Sequence, residues 1–172
     1  MLPLPSERSY SAALNGSAPS SSSAALNGYV KKYVHENGDV YEGEWVAGHR
    51  EGRGRLVYTN GAVYEGQFCA DKKSGRGTYF HASGDRYTGE WKSGKYDGRG
   101  AYTTASGEVM VSRYAQGAAI GDGAMFGADG LMAVRLLQGT AVDEITTEEA
   151  RRISRETVGL RETRALCFEI MD

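Results

Sequence analysis

The chain has 172 residues, and its 20 basic and 22 acidic residues give a formal net charge of -2. The mixed charges offer no cationic surface for nucleic acid, and Cys69 and Cys167 are too far apart for a CxxC site or a disulfide framework, so we expect free thiols. No apolar run approaches the roughly 20 residues of a membrane span, and MLPLPSERSY lacks the pattern of a secretory signal. We therefore expect a soluble intracellular protein.

The first 28 residues are mostly Ser, Ala, Gly and Asn, and the hexapeptide SAALNG occurs in them at residues 11–16 and 23–28. So few large apolar side chains cannot offset the entropy that ordering costs. We interpret residues 1–28 as a low-complexity tail. It is either a solvated linker or a short docking segment that folds on a partner.

Residues 29–139 form a repeat region with a period of 23 residues. The best units are 41–63, 64–86 and 87–109, a degenerate fourth unit covers 110–132, and AVRLLQG from Ala133 suggests a fifth. Each unit begins with YEGEW or a variant, and pairs of glycines recur later in it. Such a period is the signature of a repeat architecture.

Each unit is predicted to be a β-hairpin. Successive side chains of a strand alternate between faces, so Tyr41, Gly43 and Trp45 point one way while Glu42 and Glu44 point the other. This predicts one aromatic and one polar face. Because the GRG and GDG triplets recur between strands rather than once before a helix, they indicate turns and close packing rather than a phosphate site.

No catalytic or metal site is expected. His35 and His81 occupy the same repeat phase, the one that also holds Tyr58, which favours side chains of a sheet face over metal ligands. Carboxylates such as Glu44 and Glu90 alternate with aromatic residues, which indicates the solvent face of a strand. We therefore predict no enzyme activity, no cofactor and no metal.

Residues 140–172 are predicted to be a helical C-terminal segment. Thr146 is suited to be an N-cap, Glu149 follows three residues later, and Ile145 is placed for a hydrophobic staple. This predicts a helix from about Thr147 to Val158. Its thin apolar stripe would comprise Ala150, Ile153, Thr157 and Leu160, and the closing ALCFEIMD fits either a second helix or a short strand.

The stretches YEGEWVAGHREGRG, YEGQFCADKKSGRG and YTGEWKSGKYDGRG resemble the MORN (membrane occupation and recognition nexus) repeat family, whose units read about YEGEWxxGxxxGxGxxxxxxG. The likeness covers roughly residues 31–132. It implies an all-β fold, an elongated and twisted antiparallel sheet of stacked hairpins with an aromatic-lined groove. The family includes radial-spoke and other axonemal components, cytoskeletal scaffolds, junctional membrane proteins and regulatory segments of lipid kinases.

From these observations we expect a structural adaptor of an axonemal or cytoskeletal assembly, located in the cytoplasm at the cytoskeleton of a cilium or flagellum. Its protein partners would bind along an aromatic groove, which we define as Tyr41, Trp45, Tyr64, Phe68, Tyr87, Trp91, Tyr79 and Tyr102. These rings also form part of the sheet's own core. The groove could be covered by the protein's own helix, by a partner's helix or by a second copy.

Two alternatives concern other partners. Lys31, Lys32, Lys72, Lys73, Lys92 and Lys95 suggest an adaptor that associates with membrane phosphoinositides. The open edges of a sheet of hairpins also permit a homo-oligomer, through edge or groove contacts.

Overall fold

A computed structural model describes residues 31–159. They form one open antiparallel sheet of eleven strands, followed by a helix. The strands are β1 (Lys31–Val34), β2 (Val40–Val46), β3 (His49–Val57), β4 (Val63–Cys69), β5 (Lys72–Phe80), β6 (Arg86–Lys92), β7 (Lys95–Thr103), β8 (Val109–Ala115), β9 (Ala118–Phe126), β10 (Ala133–Leu137) and β11 (Thr140–Ile145), and the helix α1 spans Thr147–Val158. The predicted tail, residues 1–28, lies outside the described residues. The all-β sheet of stacked hairpins is confirmed.

The strands occur in the sheet in the order of the sequence, and every neighbouring pair is antiparallel. Two-residue turns close the five hairpins that begin at β2, β4, β6, β8 and β10. Both turn residues have positive φ in each case: Ala47-Gly48, Ala70-Asp71, Ser93-Gly94, Gln116-Gly117 and Gln138-Gly139. Turns of this kind match the twist of antiparallel strands.

Four hairpins share a break in register near the third repeat position. The pairing shifts between Gly43 and Trp45, Gly66 and Gln67, Gly89 and Trp91, and Val111 and Arg113. The fourth unit therefore keeps the hairpin geometry although its sequence is degenerate. The fifth hairpin, β10–β11, is also present.

The sheet continues to Ile145, so the boundary predicted at residue 139 is wrong, and residues 140–145 are not helical. The Gln138-Gly139 turn reverses the chain and lets β11 pair with β10. The helix itself is confirmed at Thr147–Val158, where the Thr146 hydroxyl accepts the Glu149 N–H at 3.2 Å. Leu160, Cys167 and the closing ALCFEIMD lie outside the described residues.

Helix α1 covers the face of the sheet that lies opposite the tyrosines. Its buried residues Ala150, Ile153 and Val158 pack against apolar side chains of β7–β10, which are Ala101, Val109, Val111, Ala124, Phe126 and Ala133. At the far end of the helix, the Arg113 Nε donates to the Thr157 carbonyl at 3.4 Å. Arg113 stands where earlier units have Glu44, Gln67 and Glu90, so this departure from the repeat serves the contact with the helix.

The face predicted to be polar changes character along the sheet. One row of cross-strand neighbours begins with the Arg55–Glu65 ion pair and continues with the Thr78–Thr88 hydroxyl contact. The row then reaches Ala101, which is paired with Val111 beneath α1. In this row the face is polar up to β6, as predicted, and apolar beyond it, where α1 covers the sheet.

Candidate functional site

The eight residues of the predicted aromatic groove lie together on one face of the sheet. They belong to one apolar cluster, which also contains Leu56, Tyr58, Tyr96 and Tyr114. We call this cluster of twelve side chains the aromatic layer. Tyr58, Tyr96 and Tyr114 were not among the predicted groove residues, although two of them have a signal in the sequence. Tyr58 occupies the repeat phase of His81, and Tyr114 occupies that of Trp45.

Three tyrosines at the first position of the repeat form the interior of this layer. Tyr41, Tyr64 and Tyr87 are completely buried. Their hydroxyls donate to the carbonyls of Glu44, Gln67 and Glu90 at 3.0, 2.9 and 3.0 Å. Since burial disfavours the phenolate, the pKa of all three is raised, to about 12 for Tyr41.

Glycines leave the space that these rings occupy. Gly66 and Gly77 face each other across β4 and β5, and the Tyr64 ring lies over both. A Cβ atom at Gly77 would meet Tyr64 Cζ at 2.6 Å. The same arrangement recurs under Tyr41 and Tyr87, so the paired glycines of the repeat are packing residues.

Rings of successive repeats contact one another edge to face. Trp91 contacts Tyr64 and Tyr87 at centroid distances of 5.1 and 5.3 Å, and its indole N–H donates to the Gly77 carbonyl. Tyr96 instead stacks on Tyr87 at 3.8 Å. Such pairs add about 0.5–1.5 kcal/mol each to the effect of burial, so the layer stabilises the sheet.

Burial divides the predicted groove into two sets. Tyr41, Tyr64, Tyr87, Phe68 and Trp91 are at most 4% exposed and are core residues. Trp45, Tyr79 and Tyr102 are only partly buried. A partner could contact only this second set directly, together with the additional residues Tyr58, Tyr96 and Tyr114.

Helix α1 does not cover the aromatic layer. It is the one described element outside the sheet, and it packs on the opposite face. Within residues 31–159, this leaves the partly exposed rings without a covering element. Of the three coverings considered from the sequence, the helix Thr147–Val158 is therefore ruled out.

Two cations enter the aromatic layer at the same position of successive repeats. The Arg50 guanidinium lies 5.7 Å from the Tyr41 centroid and 5.5 Å from the Phe68 centroid. The Lys73 ammonium lies 4.4 Å from the centroids of both Tyr79 and Trp91. At these distances the ring faces attract a cation.

The surroundings of Lys73 are unusual for a lysine. Burial lowers its pKa to about 8, since the charged form loses hydration. Next to it is a surface cavity of about 260 Å³, lined by Lys73, Tyr79, Trp91, Gly94, Lys95, Tyr96 and Gly117. No carboxylate is among these residues.

The carboxylates predicted to face solvent have a structural role. Glu44 accepts the N–H of Arg53 at 2.9 Å, and Glu90 accepts the N–H of Arg99 at 2.7 Å. Gln67 does the same for Arg76. These three side chains accept hydrogen bonds from backbone N–H groups opposite the breaks in register. The alternation of polar and aromatic residues along the strand does not reveal this role.

The histidines are used within the sheet. His81 Nε2 is 3.0 Å from the Tyr96 hydroxyl, and His49 contacts Asp71. Among residues 31–159, no three His, Cys, Asp or Glu side chains are grouped as metal ligands. In the same range, no helix combines the length and apolar character required to cross a bilayer. Cys69 is a free, exposed thiol.

Comparison with known proteins identifies the repeats. The family model of the MORN repeat matches residues 41–63, 64–86 and 87–109, so these three units are MORN repeats. This confirms the resemblance drawn from the sequence. The MORN repeat is a non-catalytic module, and its presence suggests that this region is a protein-interaction module. The fourth unit, 110–132, lies outside the matched residues but forms the same kind of hairpin.

No curated protein matches the chain. Among solved structures, the chain is similar to the TCP domain of SAS-4 (dCPAP) of Drosophila melanogaster, in complex with a proline-rich motif of Ana2 (dSTIL). The two share 16% sequence identity over 73% of this chain and 87% of that chain, with a TM-score of 0.33. This likeness is too distant to bear on function.

Proposed function

We propose that this protein is a non-catalytic structural adaptor of an axonemal or cytoskeletal assembly, in which a segment of a partner protein binds along the aromatic layer. The observation that carries the proposal is that no element within residues 31–159 covers that layer, since α1 packs on the opposite face. Partly exposed aromatic side chains are the kind of residue that dominates the energetics of protein interfaces.

The proposed location is the axoneme of a cilium or flagellum. Its support is the family likeness, since MORN proteins include radial-spoke and cytoskeletal components.

Two neighbouring aromatic residues provide a matched pair of variants. Tyr79 is partly buried in the aromatic layer, whereas Phe80 points to the opposite face and is 38% exposed. Tyr79→Ser removes a ring from the proposed binding surface, and Phe80→Ser removes one of similar size from the other face. Circular dichroism would first establish that both variants are folded.

The experiment is fractionation of ciliated cells that express the tagged full chain, with detergent and then high salt, followed by mass spectrometry of attached proteins. We expect wild type and Phe80→Ser to remain in the detergent-resistant axonemal pellet with the same neighbours, and folded Tyr79→Ser to lose them. Retention of every neighbour by Tyr79→Ser would refute binding through the layer.

The same fractionation tests the membrane alternative. Complete release of the wild-type protein by detergent, together with membrane or lipid-metabolising proteins, would contradict the axonemal placement. Binding to phosphoinositide liposomes at physiological salt would then support the alternative.

A further inference from the structure

The repeat supplies a counter-ion to Arg50 but none to Lys73. Asp71 Oδ1 accepts the Arg50 N–H at 2.8 Å and lies 3.3 Å from its Nε, and the Asp71 carbonyl accepts from Nη2 at 2.8 Å. Lys73 follows Arg50 by one repeat. Within residues 31–159, its ammonium has ring contacts but no ion pair or hydrogen bond.

The backbone shows where the corresponding counter-ion of Lys73 would be. Asp71 is the second residue of a hairpin turn, and its N–H donates to the Arg50 carbonyl at 3.1 Å. One repeat later, the N–H of Gly94 donates to the Lys73 carbonyl at 2.9 Å in the same kind of turn. Gly94 therefore stands in the position of Asp71, without its carboxylate.

The space for a carboxylate is open. A Cβ atom at Gly94 would meet nothing within 4 Å, and Gly94 lines the cavity beside Lys73. An ammonium that is partly removed from water gains from a close anion, because opposite charges attract more strongly where water is excluded. The aromatic rings around Lys73 would contact apolar groups that lie next to that anion in the bound molecule.

We propose that the cavity at Lys73 and Gly94 binds an aspartate or glutamate side chain of a protein partner, whose neighbouring apolar residues lie on the aromatic layer. A peptide carboxylate is favoured over a lipid phosphate because the preceding repeat fills the equivalent position with the carboxylate of Asp71. This inference rests on the proposed function and specifies the chemistry of the partner.

The first test supplies the missing group within the chain. Gly94→Asp adds a carboxylate in a turn where Asp71 already tolerates positive φ, and Gly94→Asn is the uncharged control of the same shape. The pKa of Lys73 is measured by NMR of its ¹³Cε. We expect it to rise by a unit or more in Gly94→Asp relative to Gly94→Asn. Equal values in the two variants would overturn the placement of the anion.

The second test uses a random dodecapeptide library displayed on phage, selected against the full chain. We expect wild type to enrich peptides with Asp or Glu beside aromatic or aliphatic residues. The acidic residue should be enriched about tenfold or more over selections with Lys73→Gln, which lacks the ammonium, or Gly94→Asp, which neutralises it within the chain. Equal acidic content in all three selections, or no enriched peptides, would overturn the inference.

The outcomes separate this inference from the proposed function. If Tyr79→Ser loses the cellular neighbours but Lys73→Gln keeps them, the adaptor role stands and the carboxylate site is refuted. Binding of phosphoinositide vesicles that depends on Lys73, in the absence of any peptide selection, would refute the site in favour of a membrane partner.

Discussion

The packing of Tyr64 over paired glycines predicts a specific defect in Gly77→Ala. The new Cβ would lie 2.6 Å from Cζ and 2.7 Å from Cε2 of Tyr64, whereas carbon atoms in contact are about 3.5–4.0 Å apart. The ring must therefore move by about 1 Å. Since Tyr64 is completely buried, its neighbours must move as well.

The magnitude follows from two costs and one offset, each of known size. Overpacking in a buried layer costs about 1–3 kcal/mol, and displacement of the ring weakens the hydroxyl bond to the Gln67 carbonyl, which contributes about 1 kcal/mol. The lower backbone entropy of alanine offsets about 0.5–1 kcal/mol. We expect the free energy of unfolding to fall by about 2 kcal/mol.

The assay is urea denaturation followed by tryptophan fluorescence, arranged as a double-mutant cycle. Tyr64→Leu removes the atoms that the new Cβ would strike, so adding Gly77→Ala to Tyr64→Leu should cost almost nothing. The two changes would then be coupled by about 2 kcal/mol. Additive costs would show that Gly77 does not make room for the ring, and the reasoning about the paired glycines would be refuted.

Two further predictions concern the tyrosines and the helix. Burial raises the pKa of Tyr41 to about 12 and also raises the pKa values of Tyr64 and Tyr87. The contribution of these protonated side chains to the stability of the fold is therefore complete below pH 10 and is lost as the pH rises further. Absorbance titration should show them protonated at pH 10.5 in the native protein but ionising near pH 10 in urea. Thr146→Ala should destabilise α1 by about 1 kcal/mol and speed amide hydrogen exchange in residues 147–158, and an equal increase in β2–β6 would contradict a local cap.

The hairpins could be predicted because their signal is local and periodic. A period of 23 residues placed Tyr41, Tyr64 and Tyr87 at equivalent positions, and alternation along a strand placed each on the same face as Trp45 or its equivalent. The N-cap at Thr146 was equally local, since it depends only on Glu149 three residues on. Each inference required only the geometry of one strand or one helical turn.

The face of the sheet that α1 covers could not be predicted from local patterns of this kind. It depends on side chains of several strands, Ala101, Val111 and Ala124 among them, which become neighbours only once the register of the sheet is set. The strand β11 was missed because its pairing follows from the Gln138-Gly139 turn, which lies one residue out of phase with the earlier turns.

The site at Lys73 was missed for another reason. In the sequence, Lys72 and Lys73 are a basic pair among the six lysines that suggest association with membrane phosphoinositides. In the strand the two residues alternate in direction, and only Lys73 enters the aromatic layer. The absence of an acid at Gly94 has meaning only beside the Arg50–Asp71 pair of the preceding repeat.

The strand order bears on how the molecule folds. Every strand pairs only with its neighbours in the sequence, so paired residues lie less than one repeat apart in the chain. The energetics therefore approach those of a one-dimensional array in which each hairpin is stabilised by the next. Low contact order of this kind favours rapid zipping from hairpin to hairpin. Among residues 31–159, the edge strands β1 and β11 each have a single neighbour, whereas α1 bridges β7–β10. Unfolding is therefore expected to start at the two edge strands and to reach the helix-bound strands last.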